Sequence, residues 1–166
     1  MNTNKEIPIP NSLAIVARWL DSHGEGYYFA TGGAIIQSRW ELTEATFFLG
    51  CFESDGFFQI VTAFPVKSSK EKRMAVRDYL KRFRQEASDP NLEVGYDLES
   101  GEVRFRLRLD LAVTVFDESI FELMLSSILF FAGKTFPYLN CVMTGAMKPD
   151  FALDQTLAAI RDNQSE

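Results

Sequence analysis

Hydrophobic and polar positions alternate most cleanly over residues 91–112. In a first arm Leu92, Val94, Tyr96 and Leu98 share one side of an extended chain, and in a second arm Val103, Phe105, Leu107, Leu109 and Leu111 do the same. A period of two sends successive side chains to opposite faces of a strand, so each arm predicts a half-buried β-strand. The other face of the second arm carries Arg104, Arg106 and Arg108. Ser100-Gly101 lies between the arms, and glycine readily takes the positive φ of a tight hairpin. A two-residue loop there pairs Leu98 with Val103, Asp97 with Arg104 and Glu93 with Arg108, and leaves Arg106 opposite Gly95 without a partner. Exposed cross-strand ion pairs contribute roughly 0.2–1 kcal/mol each. Each buried apolar side chain contributes about 1.5–3 kcal/mol. The arginine row therefore reads as the solvated face of a sheet and not as a phosphate-binding row.

The rest of the chain follows from the same patterns. Leu13, Val16, Ala17 and Leu20 recur at helical spacing, predicting a helix over 11–22 capped by Asn11 or Ser12 and closed at Gly24. Residues 27–64 predict three antiparallel strands, over 34–40, 45–52 and 57–64, with 27–29 beginning the first or leading into it and Gly32-Gly33 forming a bend. Asp55-Gly56 is a two-residue hairpin signal between the last two. Those two strands are apolar on both sides: Phe47, Leu49 and Cys51 oppose Phe48 and Phe52, and Phe57 opposes Phe58. A strand apolar on both faces needs cover on both, from this chain's helices on one side and from a second subunit on the other.

A helix over 67–87 buries Val76, Tyr79, Leu80, Phe83 and Ala87. After the hairpin, Asp117-Glu118-Ser119 supplies a cap and first-turn acids for a long helix ending at Gly145, with Gly133 and Pro137 expected to bend or interrupt it. Its stripe is Ile120, Leu123, Met124, Ile128 and Phe131. Phe121, Leu125 and Phe130 fall to one side, which is more apolar surface than one sheet face requires and makes them candidates for a dimer or apolar contact surface. A short helix over about 150–161 and a polar tail end the chain. The predicted order is α-β-β-β-α-β-β-α, with one domain over 1–166: a loose lead-in at 1–10, a core at 11–146, and a short helix and tail at 147–166.

Composition narrows the function classes. The chain has 166 residues, a formal charge of −6 and 15 phenylalanines. An acidic balance argues against general nucleic-acid binding, where a basic face dominates affinity. Residues 1–8 lack a signal-peptide run, and the apolar stretch 120–132 is too short to span a bilayer, so a cytoplasmic protein without membrane association is expected. Cys51 and Cys141 sit in apolar surroundings and are expected as reduced thiols. His23 is the only histidine and has no ligand or catalytic partner nearby in sequence. No metal-ligand spacing, phosphate loop or nucleophile elbow is present, so no catalytic, metal or cofactor residues are assigned.

One charged feature remains. Eight of the 17 basic residues lie between Lys67 and Arg84. Arg73, Arg77, Lys81 and Arg84, spaced 4, 4 and 3, form a stripe along the second helix. They are the candidate partner-binding residues, suited to an acidic protein segment.

Residues 73–160 resemble the YbjN family, bacterial proteins described as candidate sensory-transduction regulators. The resemblance rests on Tyr79-Leu80 near a helix end, the strand from Glu93 to Leu98, the strand Gly101-Glu-Val-Arg-Phe-Arg106, the Asp117-Glu118 cap, Phe136 with Tyr138, and Gly145. It implies the type III secretion chaperone-like fold: α+β, a five-stranded antiparallel sheet with helices packed on one face, usually a homodimer. It implies no catalytic residue. The linker at 85–91 departs from the family pattern. Together these readings lead to a non-enzymatic, homodimeric protein-interaction or chaperone-like regulatory module that binds a partner segment. The alternative is a small-ligand-binding regulatory domain with an aromatic-lined pocket.

Overall fold

Asp55 and Gly56 both take positive φ, 53° and 79°, and reverse the chain in a two-residue turn between β3 (Thr46–Ser54) and β4 (Phe57–Ala63). A second reversal is built by Thr31, Gly32 and Gly33, at φ 51°, 64° and 93°. It folds β1 (Tyr27–Ala30) back onto β2 (Ile35–Glu41), so Phe29 pairs with Ile36. The computed structural model, which describes residues 9–87 and 90–162, thus has six strands and not five. Residues 27–30 form a strand of their own because three consecutive positive-φ residues turn the chain through a full reversal. The sheet is antiparallel throughout, in the order β1-β2-β3-β4-β6-β5, with β5 at Leu92–Tyr96 and β6 at Val103–Asp110. The expected loose residues 1–8 and tail 163–166 lie outside the described residues.

The β5–β6 hairpin forms with a register two residues from the expected one. Tyr96, not Leu98, pairs with Val103, and Glu93 pairs with Arg106. A two-residue slip keeps every side chain on its own face, so alternation cannot detect it. The turn decides. The Asp97 carboxylate accepts from the amides of Glu99 and Ser100 and from the Ser100 hydroxyl at 2.8 Å, and the Gly101 amide closes onto the Asp97 carbonyl. This widens the loop and leaves Leu98 exposed. Arg106 gains Glu93 at 3.6 Å, Arg108 shares the same carboxylate at 3.4 Å, and Arg104 pairs with Glu102 and not Asp97.

The Ser100 hydroxyl, and then the loop amides, hold the Asp97 carboxyl below the usual carboxylate range, and Arg104 and Lys67 do the same for Glu102. Lowered folded-state values give stability that is complete above the unfolded carboxylate value, about pH 4. That stability disappears as pH falls through the folded value. The urea midpoint should therefore fall between about pH 5 and about pH 2, and less steeply in Asp97→Asn. An identical slope in the two proteins would remove Asp97 from the account.

One sheet face holds Phe47, Leu49, Cys51, Phe58, Ile60, Val103 and Phe105, all buried. The helices cover this face. From α2 (Arg73–Glu86), Phe83 stacks on Phe105 at 5.7 Å. From α3 (Glu118–Thr144), Phe136 meets Phe47 at 5.7 Å and Phe121 meets Phe58 at 6.4 Å. From α1 (Asn11–His23), Trp19 meets Phe121 at 5.2 Å. α1 has Pro10 at its N-cap and no side-chain cap. The Ser12 hydroxyl instead donates to Glu53 at 2.6 Å, fastening the helix to β3. α2 starts later than expected, at Arg73, because the Ser68 amide is held by the Gly101 carbonyl at 2.9 Å and Lys70–Lys72 form a 3-10 turn.

α3 runs as one 27-residue helix through Pro137, capped by Asp117, whose carboxylate accepts from the Ile120 amide at 2.9 Å. A proline in a helix leaves the carbonyl four residues earlier without its usual donor, here that of Gly133, and packing on both sides outweighs that cost. By length and composition α3 could cross a membrane. In this fold it is a core helix. Its outer side is covered by α4 (Pro149–Asp162), which buries Ala152, Leu153, Leu157 and Ile160 and joins α2 through a buried Tyr79–Thr156 hydroxyl pair at 2.7 Å.

Candidate interaction surfaces

α3 is covered by α1, α2, α4 and the sheet together, which accounts for much of its apolar surface. Phe121 and Leu125, expected at a contact surface, are 1% and 4% exposed inside the chain's own core. Trp19 of α1 and Phe58 of β4 cover Phe121, whereas Leu123, on the expected stripe, is 64% exposed. Of the three candidates Phe130 alone reaches the surface, half-buried between two grooves. One groove, of about 850 Å³, runs past Phe131, Leu157 and Ile160. The other, of about 610 Å³, passes Leu42, Gly133 and Tyr138. Most of the aromatic side chains pack against one another in the core and do not line these grooves.

The candidate basic residues do lie together. The buried face of α2 is Val76, Tyr79, Leu80 and Phe83. Arg82 leans to the flank where α4 lies, held by Asp150 at 2.5 Å and by Glu86 at 3.1 Å. Arg77, Lys81 and Arg84 are exposed on the opposite flank, by helical spacing. Arg77 has only the neighbouring Asp78 at 3.6 Å, and among the described residues Lys81 and Arg84 have no carboxylate partner. Arg73 starts the stripe half-buried, and its Nε is buried with no hydrogen-bond partner. Such a donor costs about 1–3 kcal/mol unless an acceptor reaches it.

β5 runs beneath α2 and ends the sheet. It pairs with β6 on one side only, and Glu93 and Gly95 are exposed. An edge strand offers a row of backbone donors and acceptors to any extended chain. Sequence reading finds the stripe but not this edge, because strand order follows from the whole topology.

His23 is exposed at the last position of α1. Its ring stacks on Trp19 at 3.9 Å and its Nδ1 lies 2.8 Å from the Trp19 carbonyl at the end of α1. Both cysteines are unpaired. Burial pushes the Cys51 thiol up to about 12, so it remains protonated and unreactive at neutral pH.

No family model matches the chain, and no curated protein matches it significantly. Among solved structures it is similar to the crystal structure of YbjN from E. coli, described as a candidate transcription regulator. The TM-score is 0.54 at 9% identity, over 96% of this chain and 94% of that one. At that identity the likeness is one of fold, and it bears out the resemblance seen in the hairpin and helix motifs: this α+β chain has the YbjN fold.

Proposed function

We propose that this protein is a cytoplasmic, non-enzymatic, homodimeric interaction module of a regulatory or chaperone-like kind, which captures an acidic, extended segment of a partner protein. The reading is supported by two features together: β5 is an edge strand that α2 contacts, and α2 carries an exposed basic flank on the side away from Arg82 and Asp150. An extended segment that adds to β5 makes main-chain hydrogen bonds, the mode in which backbone gives affinity and side chains give specificity. Its carboxylates would meet Arg77, Lys81 and Arg84, and an acceptor near the start of α2 would satisfy Arg73 Nε. The small-ligand alternative has less support, because the surface grooves carry few of the chain's aromatic side chains.

The test is fluorescence anisotropy with a labelled decapeptide of alternating Glu and Val. The combined change Arg77→Glu, Lys81→Glu and Arg84→Glu should weaken binding at least about tenfold. The wild-type affinity should fall steeply with salt. Equal affinity of the two proteins, or no binding by either, would overturn the reading.

A further inference from the structure

The helices all lie on one side of the sheet, and the other side is apolar at its centre. Strand register sets Ile35 beside Phe52, Gly50 beside Val61, Phe48 beside Ala63 and Ser54 beside Phe57 on that outer face. Phe48 is 61% exposed and Tyr28, on β1, 59%. Contiguous apolar patches of this kind on a soluble domain mark contact sites.

Charge and area both point to the occupant. Every arginine on this face already has a carboxylate: Arg39 has Glu41 at 2.6 Å, Arg104 has Glu102, and Arg106 and Arg108 share Glu93. The Arg108 guanidinium also lies over the Phe57 ring at 4.2 Å. A strongly charged partner gains nothing from a rim whose charges are already paired. A second copy meets no like-charge barrier here, although each chain carries −6 overall. Six strands at about 4.8 Å spacing, and seven residues along β2 and β4 at about 3.3 Å each, give a plane on the order of 650 Å². A standard interface buries about 800 Å² per partner. A two-fold axis needs one patch that fits itself, and an apolar centre with an internally paired rim meets that need.

We infer that the outer face of the sheet, centred on Phe48, Phe52 and Val61, is the surface through which two copies of this chain associate. This rests on the homodimeric part of the reading above and not on segment capture, which uses α2 and β5.

Sedimentation velocity of the full chain over a concentration series tests it. The wild type should dimerise, and Phe48→Glu should weaken dimerisation at least about tenfold while leaving the monomer folded by circular dichroism. Should Phe48→Glu fail to fold, Phe48→Ser decides with the same expectation. Phe151→Glu, at an exposed position on α4, should leave dimerisation unchanged. A wild type that is monomeric at every concentration overturns the inference, as does a dimer that Phe48→Glu leaves intact or that Phe151→Glu breaks. The Phe48 variants should retain the peptide affinity of the wild type, and the α2 triple variant should remain dimeric, so failure of either surface is read separately.

Discussion

Phe105→Ala should destabilise the fold by about 3–5 kcal/mol, the range for a fully buried phenylalanine that leaves a cavity. Phe105 is 0% exposed, lies on the inner face of β6, and packs against Phe64 at 4.9 Å and Phe83 at 5.7 Å. It therefore joins the sheet to α2 and, through Phe64, to Phe136 of α3. For a domain of this size, each kcal/mol moves the melting temperature by about 2–4 °C, so a fall of roughly 6–20 °C is expected by calorimetry. A loss below about 1 kcal/mol would mean that the core can collapse around the missing ring, contrary to its close packing against Phe64 and Phe83.

Gly101→Ala should cost roughly 2–4 kcal/mol, although it adds one methyl group in a surface hairpin. Gly101 has φ 75°, and a Cβ there would lie 2.3 Å from the Ser68 carbonyl oxygen and 2.8 Å from the Ser68 hydroxyl. The left-handed conformation accounts for about 1–2 kcal/mol. The rest comes from pushing apart the loop and the segment before α2, whose Ser68 amide donates to the Gly101 carbonyl at 2.9 Å. Gly56→Ala is the control: its φ is 79°, and nothing lies within 4 Å of the added carbon. Urea denaturation of the two variants should give a clearly larger loss for Gly101→Ala. Equal losses would show that the Ser68 contact yields without cost.

What could be read from the residues, and what could not, divides along physical lines. Alternation placed Val103, Phe105 and Leu107 on the inner face correctly, and Asp55-Gly56 marked its turn, because both signals are local. The hairpin register differs from the expected one by two residues because faces repeat every two residues, and the Asp97 hydrogen bonds distinguish the alternatives. β1 is not legible as a separate strand because Thr31, unlike Gly32 and Gly33, gives no sign in its chemistry of a positive φ. The stripe on α2 is legible from spacing, whereas the packing of α2 on an edge strand depends on strand order. Phe121 and Leu125 read as surface candidates because cover of α3 by other elements, such as that of Phe121 by α1 and β4, is a long-range fact that helical periodicity does not contain.

The placement of α4 also bears on the sequence of events during synthesis. Chains emerge from the N-terminus, and apolar surface left open on the way invites misassociation. When residue 144 has emerged, the sheet and α1 to α3 can already meet, but α3 still presents the side that Leu153 and Leu157 later cover. At that moment the nascent chain displays a 27-residue apolar helix of membrane-spanning length with one flank bare. The last helix acts as a latch, and the interval before it arrives is when the growing chain most needs shielding.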